Sequence, residues 1–350
     1  MKLVYYKNLD GIRAIAALLV MNLHFWGKIN INSSILSFFH SLASVGQTGI
    51  TLFFVLSGFL ITRILLNKKN TNNFFTNFYF RRLLRIFPLY YLFLLIYYFI
   101  YPILINSQPF EFNEIIYYLI YLQNFALTFN WNTNGPGHFW SLAVEEHFYL
   151  FWPILIFYFN NKKIIYIICL LILFPILLRF YMLTKNFEIS WFTLTQIDSL
   201  AIGSLLSFLE KNKTLNLKFA NKFFIPALSL IFIISLFIFL SNNVNEIYYQ
   251  SIKYTLWGLI YFFILAYLLS INSKHLFNLF LGNSFLNFTG KISYGLYVYH
   301  FIILDIIIYH FNNEYWIINF ILYFIATYII STLSYFLFEI KFLKLKSNFL

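Results

Sequence analysis

Ten apolar segments of about 20 residues each constrain the fold of this chain more than any other feature. A helix of that length is long enough to cross a hydrocarbon core of roughly 30 Å. The segments are 10–28, 46–66, 84–105, 139–159, 164–183, 190–209, 223–241, 254–272, 292–311 and 315–338. The sequence therefore predicts an all-α, polytopic membrane helical bundle with about ten transmembrane helices.

The composition agrees with that class. Hydrophobic residues make up 61% of the chain and charged residues 10%, and the mean hydropathy is +0.74. A soluble domain of 350 residues does not need so much apolar surface. The composition thus indicates an integral membrane protein of a single domain, 1–350, with short loops and no soluble appendage.

The positive charge predicts topology rather than nucleic-acid binding. The formal net charge is +12, but the Lys and Arg residues lie in short segments between apolar runs instead of on one stripe. An eleventh apolar candidate, 114–129, contains Gln123 and Asn124; if it crossed the membrane, Lys162 and Lys163 would fall outside. If it lies in the interface or re-enters, the basic loops all face the cytoplasm, and we therefore expect ten spans with both termini cytoplasmic.

Cysteine usage and the N-terminus give two further expectations. Cys169 is the single cysteine and lies in an apolar run, so neither an internal disulfide nor a thiolate metal cluster is expected. The first apolar stretch is not followed by a small-residue cleavage pattern, which favours a retained first span over a removed signal peptide.

Arg13 and His24 lie in the first span, `LDGIRAIAALLVMNLHFWG`, and are candidates for chemistry. Eleven residues make almost three helical turns, so both side chains share one face at depths about 16 Å apart. Ionisable groups within membrane helices are costly and normally face a protein or water-filled interior. The alternative is an arginine at the interface and a histidine bonded to a neighbouring helix.

Three arginines at the start of the third span form a second candidate site, in `FRRLLRIFPLYY`. Arg82 and Arg85 share a helix face at i, i+3, and Arg81 lies next to it at i, i+4 from Arg85. The positive-inside rule alone explains some arginines here. Three guanidinium groups in five residues also suit a multiply phosphorylated ligand, because the arginine fork matches phosphate oxygens.

Three consecutive titratable residues, Glu145, Glu146 and His147, lie just inside the fourth span. Successive helical positions are about 100° apart, so the two carboxylates cannot both face one partner. One of them is expected to orient His24 and to stabilise its imidazolium, as carboxylates do beside catalytic histidines. The His-Glu-x-x-His spacing of a zinc site is absent, and no metal is expected.

Small residues mark the second span, where Gly46, Gly49 and Gly58 permit close helix approach and Ser57 offers a hydroxyl group. Small residues in membrane helices are more often packing devices than nucleophiles, so packing is the preferred interpretation.

Two other groups of polar residues lie within later spans. `GKISYGLYVYHF` is predicted to place Ser293, Tyr294, Tyr297 and His300 near the cytoplasmic half of the ninth span. Arg179 and Asp198 are further intramembrane charges that can pair with each other.

With these motifs in view, the chain resembles the membrane-bound acyltransferase-3 family, whose members O-acylate cell-surface carbohydrates and some small molecules. The resemblance covers essentially the whole chain. The chain departs from the family pattern at His147, where Gln is frequent, and at Ile340-Lys341, where a charged residue followed by Pro is more common. The motifs that carry it are Arg13 with His24, `SGF` at 57–59, Arg82 and Arg85 before `IFP`, `WSLAVEEHFY` at 140–149, `IDSLAIG` at 197–203, `ISYGLYVYH` at 292–300 and `FEIKFLK`.

The resemblance implies an O-acetyltransferase of the plasma (inner) membrane that takes an acyl group, most simply acetyl, from cytoplasmic acyl-CoA. Its acceptor is expected to be a hydroxyl group of a surface glycan or lipid-linked saccharide. The protein is expected to be surrounded by membrane lipid, and it can form a homodimer or act as a monomer. Arg13, Arg82 and Arg85 are the expected donor-binding residues. His24 is the expected general base, with Glu145 or Glu146 fixing its tautomer. Some relatives carry an extracytoplasmic hydrolase-like domain. None is expected here, so a second transfer step is expected to need another protein.

Two other functions are compatible with parts of the sequence. A transporter or flippase of an envelope glycolipid or polysaccharide also has intramembrane charges, but it should show internal repeats between its halves, and none is found here. A scaffold protein of an envelope pathway would not need the Arg and His placement.

Overall fold

The computed structural model describes residues 4–29, 34–219, 221–222, 225–229, 231–232, 246–311 and 315–346, and these residues form helices and loops only. The helices are α1 (Asn8–Lys28), α2 (Ser34–Ser44), α3 (Thr48–Lys68), α4 (Phe74–Leu95), α5 (Tyr101–Leu104), α6 (Phe112–Leu119), α7 (Gln123–Thr128), α8 (Trp140–Tyr158), α9 (Asn161–Thr184), α10 (Thr193–Lys211), α11 (Leu217–Phe219), α12 (Glu246–Ser270), α13 (Leu276–Leu281), α14 (Ser284–His310), α15 (Trp316–Ser334) and α16 (Ile340–Leu345). Short 3₁₀ segments precede α3 and α8, and π-helical turns follow α4 and α15.

The all-helical membrane class is confirmed for the described part of the chain, where seven helical stretches are long and apolar enough to cross a membrane. They are Asn8–Lys28, Leu36–Lys68, Phe74–Leu104, Asn161–Thr184, Glu246–Ser270, Ser284–His310 and Trp316–Leu345. Two more of the ten predicted spans coincide with α8 and α10, which have 19 residues each. The predicted span 223–241 lies mostly outside the described residues, so the number of ten remains a prediction.

The segment 114–129 does not form one long helix. It folds as α6 and α7, of eight and six residues, separated by a turn at Tyr121 with φ of 59°. Neither helix exceeds about 12 Å in length, so neither can cross a membrane. Gln123, in α7, donates to the carbonyl oxygen of Phe139 at 2.9 Å, which ties this segment to the start of α8.

Three helices form the centre of the bundle. Of the apolar window of α1, 61% is buried inside the protein, and the windows that contain α3 and α14 are each 67% buried. In contrast, the windows of α9 and of Trp316–Leu345 are only 22% buried, which is typical of helices at a lipid-facing periphery. The central helices α1, α3 and α14 are therefore the elements that can present polar groups to an interior site.

Close backbone packing explains the small residues of α3 and of the 3₁₀ turn before it, as predicted. A Cβ atom at Gly46 would collide with the carbonyl oxygen of Leu19 in α1, and one at Gly58 would collide with that of Leu200 in α10. On the other side of this contact, Gly203 of α10 lies against the carbonyl oxygen of Val55 in α3. Small residues at such crossings allow the backbones of membrane helices to approach closely.

The proposed pairing of Arg179 and Asp198 is present. Arg179 Nη2 lies 2.9 Å from Asp198 Oδ2, and both side chains are fully buried. Thr255 Oγ1 donates to the same carboxylate oxygen at 2.5 Å and joins α12 to α9 and α10. This network satisfies two intramembrane charges internally, so it connects helices and needs no ligand.

The orientation of the bundle can be tested by cysteine labelling. In a Cys169→Ser background, Lys163→Cys, Lys213→Cys and Lys346→Cys should react with a membrane-impermeant maleimide only when the cytoplasmic side is open, because each lies in a positively charged segment at the end of a helix. Ser107→Cys, in the loop between α5 and α6, is the control and should react from the opposite side. Labelling of Lys163→Cys from the same side as Ser107→Cys would contradict the ten-span topology.

Candidate functional site

A cavity of about 490 Å³ extends into the bundle between α1, α3, α4, α8 and α14. Its wall on α3 runs from Ile50 to Lys68, which corresponds to about 27 Å of helix. The α3 residues that line it recur three and four positions apart, so one face of this helix forms the wall over nearly its whole length. The cavity is therefore long and narrow enough for an extended ligand.

Positive charge is concentrated on the cavity wall. Glu145 is the single acidic residue among the described residues that line the cavity, whereas six basic residues do so. These are Arg13, Lys68, Arg81, Arg82, Arg85 and Lys346. A cavity with this balance attracts an anion of several charges.

The arginines predicted from the sequence lie together in this cavity. The ion pairs in the described part of the chain include none of Arg81, Arg82 and Arg85. Arg82 instead lies over the ring of Tyr149, with 5.3 Å between its Cζ atom and the ring centroid. Arg13 Nη1 is held by Asp10 Oδ1 at 2.5 Å. Thus α1 supplies a guanidinium fixed by a carboxylate, whereas the α4 guanidinium groups have no carboxylate in an ion pair with them in the described part of the chain.

Lys346 extends the basic cluster beyond the last membrane helix. It follows α16 and lies outside the stretch that ends at Leu345. Burial, together with the positive charges of Arg85, Arg82 and Arg81, lowers the pKa of Lys346 to about 7. The charge of the cavity mouth therefore depends on pH near neutrality.

The two glutamates of α8 differ in their surroundings. Glu145 lines the cavity and accepts hydrogen bonds from Ser57 Oγ at 3.0 Å and from the Tyr149 hydroxyl at 2.6 Å. Glu146 points elsewhere, and its buried Oε1 has no hydrogen-bond partner among the described residues. This agrees with the expectation that neighbouring helical positions cannot serve the same partner.

Three histidines meet next to the inner end of the cavity. His24 of α1, His138 of the 3₁₀ turn before α8, and His300 of α14 have ring centroids 4.8 to 6.5 Å apart. Tyr297 lines the cavity and its ring also contacts that of His138, at 5.4 Å. Ser141 and the Tyr297 hydroxyl are hydrogen-bonded at 2.6 Å on the cavity side. The histidine cluster and the cavity thus share one wall.

The expected hydrogen bond between His24 and a glutamate is not formed. His24 Nδ1 lies 2.8 Å from His300 Nε2, while Glu145 is occupied by Ser57 and Tyr149. The expectation failed because α14, rather than α8, packs along α1 and presents its side chain there. We correct the partner of His24 to His300.

The depth of His300 is a second correction. Its helix begins at Ser284, eight residues before the predicted start, because Asn283 caps it by accepting from the backbone N–H of Leu286 at 2.8 Å. The longer helix places His300 past its own midpoint and level with His24. His138, which the sequence analysis missed, precedes the α8 helix and gave no periodic signal.

The described part of the chain contains no group of three or more His, Cys, Asp or Glu side chains placed to hold a metal ion. The cluster of His24, His138 and His300 is not such a group either. His300 Nδ1 is hydrogen-bonded to the backbone carbonyl oxygen of Tyr297, and His138 Nε2 to that of Val298.

Residues 6–338 match the family model of the acyltransferase-3 acyltransferase domain. The O-acetyltransferase OatA of Staphylococcus aureus strain NCTC 8325 is 27% identical, with 95% of this chain and 56% of that protein covered. A putative O-acetyltransferase of S. aureus strain COL is 28% identical, with 87% and 52% covered. The chain thus spans about half the length of these relatives. No solved structure is significantly similar to it.

Anion binding at the cavity mouth should depend on the protonation of Lys346. Since a lysine is charged below its pKa, and the pKa of Lys346 is about 7, sulfate should bind more tightly at pH 6 than at pH 8, by roughly two- to fivefold for one partly exposed charge. Sulfate keeps its charge over this range, and its binding can be measured from the thermal stabilisation of the purified protein at constant ionic strength.

In Lys346→Met this pH dependence should become clearly smaller, and in the control Lys274→Met, at an exposed loop position, it should persist in full. An unchanged pH dependence in Lys346→Met would show that another group controls the mouth.

Proposed function

The chain belongs to the acyltransferase-3 family of membrane proteins, and we propose that it is an O-acetyltransferase. It transfers an acetyl group from cytoplasmic acetyl-CoA to a hydroxyl group of a surface glycan or lipid-linked saccharide, in the plasma membrane. The observation that carries this proposal is the cavity with six basic residues on its wall and a histidine cluster beside its inner end.

The donor site is proposed from charge and shape. The phosphates of acyl-CoA bind Arg82 and Arg85, whose guanidinium groups present two parallel N–H donors to phosphate oxygens. Arg13 lies near Arg85 and reaches the same ligand from α1. Beyond the arginines the wall is mostly apolar, with residues such as Phe54 and Ile61. The slender arm of the donor fits there and carries the thioester towards Ser141 and Tyr297.

The chemical step is proposed to occur at His24. Its imidazole accepts the proton of the acceptor hydroxyl while the hydroxyl oxygen attacks the thioester carbonyl carbon. The C–S bond then breaks, and the departing thiolate of CoA takes up the proton, which leaves an O-acetyl ester and CoA. Direct transfer of this kind forms no covalent acyl intermediate on the protein.

The glutamates are assigned roles around the donor. Glu145 is held by Ser57 and Tyr149 in the cavity wall, where it fixes the position of α3 relative to α8 near the thioester. Glu146 lies near enough to Arg82 to interact with it electrostatically. Both are thereby linked to donor binding rather than to the orientation of His24.

The comparisons favour this enzyme over the transporter or flippase, because the relatives are named as O-acetyltransferases. The test is direct. The purified protein in lipid vesicles should release free CoA thiol from acetyl-CoA when acceptor glycan is present, and deletion from cells should remove one acetyl mass from a surface polymer. Normal acetylation in the deleted strain, with no thiol release in vesicles, would refute the proposal.

Replacing His24 with Ala should abolish acetyl transfer. Membrane insertion should be preserved, because the free-energy cost of placing Ala in a membrane helix is lower than that of an imidazole. Loss of a general base lowers turnover on the order of 10²- to 10⁴-fold. Thiol release and acetylated product measure the effect, and His310→Ala at the exposed end of α14 is the control. Turnover of His24→Ala within a few fold of the native protein would exclude His24 as the base.

Replacing Arg85 with Lys should weaken donor binding more than turnover. The substitution keeps the charge but loses the bidentate fork, so affinity for acetyl-CoA should fall about tenfold to a hundredfold, or roughly 1.5 to 3 kcal/mol. Arg63→Lys is the matched control because Arg63 pairs with Glu210 at 2.6 Å and does not line the cavity. Equal affinities in the two variants would reduce the arginine cluster to a topology signal.

A further inference from the structure

The partner of His24 determines which of its nitrogen atoms can act as a base. His24 Nδ1 and His300 Nε2 lie 2.8 Å apart, and the second ring nitrogen of His300, Nδ1, lies 2.6 Å from the backbone carbonyl oxygen of Tyr297. His300 is fully buried, whereas His24 is partly exposed. The three groups form a linear hydrogen-bonded chain that ends at the more accessible ring.

The carbonyl oxygen fixes the direction of every hydrogen bond in this chain. A carbonyl oxygen can only accept, so His300 Nδ1 must carry the hydrogen. In a neutral imidazole the other nitrogen is then an acceptor, so His300 Nε2 accepts from His24 Nδ1–H. His24 Nε2 is left with its lone pair free. We infer that His300 is a positioning residue that holds His24 in the tautomer whose Nε2 atom is the base; this inference rests on the proposed function.

The surroundings favour neutral rings in the resting state. No carboxylate is hydrogen-bonded to His24, His138 or His300 among the described residues. The charged groups near them are Lys28 on α1 and Asp305 on α14, which pair with each other at 3.2 Å. A buried imidazolium without an acidic partner is costly, so each ring carries one proton.

His138 stabilises the orientation of this pair without entering the chain of protons. Its Nε2 atom donates to the carbonyl oxygen of Val298 at 3.3 Å, and its ring packs edge-on against His300, with centroids 4.8 Å apart. Phe301 also packs against the cluster. Its ring stacks on that of His138, with centroids 5.1 Å apart, and lies edge-on to that of His24, with centroids 5.4 Å apart. These contacts restrict rotation of the imidazole rings.

The consequence for the reaction is a two-histidine unit in place of a histidine–carboxylate pair. When His24 Nε2 takes the proton of the acceptor hydroxyl, its Nδ1–H is already hydrogen-bonded to an acceptor that stabilises the imidazolium. The same proton at Nε2 then passes to the CoA thiolate. His300 therefore acts through His24 and does not contact either substrate.

Two amide substitutions distinguish positioning from a structural role. In His300→Gln the amide reaches the location of the imidazole Nε2 atom and can present its oxygen to His24 Nδ1–H. In His300→Asn the amide reaches only the location of Nδ1, so it can still donate to the Tyr297 carbonyl oxygen but offers His24 no acceptor. Both variants are polar and smaller than or similar to His, and His310→Asn at the exposed end of the same helix is the control.

We expect turnover with acetyl-CoA to stay within about tenfold of the native value in His300→Gln and to fall on the order of 10²- to 10⁴-fold in His300→Asn. The KM for acetyl-CoA should change less than about threefold in both, since the donor site is elsewhere. Equal turnover in the two variants, or a loss that appears mainly in KM, would overturn the role of His300. Absence of acetyl transfer by the native protein would instead refute the proposed function.

Discussion

The cost of placing charge inside a membrane governs the arrangement of this molecule. An ionised side chain in a transmembrane helix must pair internally or face a polar interior. Arg179 follows the first course and is paired with Asp198. Arg82 and Arg85 follow the second and line the cavity. The structure therefore separates charges that join helices from charges that are available to a ligand, a distinction that residue type and span position alone do not reveal.

Close packing of the central helices makes that cavity possible. Because Gly58 and Gly203 bring the backbones of α3 and α10 together, the opposite face of α3 is free to line the cavity over most of its length. In the same way Gly290 of α14 lies against the carbonyl oxygen of Asp10 in the first turn of α1. The contact of α1 with α14 then places His24 beside His300. Glycine residues that take part in no reaction thus determine where the polar side chains lie.

Features that depend on a single helix could be predicted from the sequence. The packing of one helix against another could not. Hydropathy identified the helical class, and the spacing of Arg82 and Arg85 placed both on one face, which the cavity confirms. The partner of His24 could not be predicted, because nothing in a single sequence states that α14 rather than α8 packs on α1. His138 had no signal, since it lies in a 3₁₀ turn before its helix and outside any periodic pattern.

Tyr297 links the cavity to the histidine cluster. Its side chain lines the cavity, its ring contacts that of His138, and its backbone carbonyl oxygen anchors His300. One residue therefore contributes both to the cavity wall, the proposed donor site, and to the hydrogen-bonded chain of His24, the proposed base. Since both functions reside on the same turn of α14, a shift of this turn would change donor depth and base orientation together. In the proposed reaction, such coupling keeps the thioester and the base in register, which rapid acyl transfer requires.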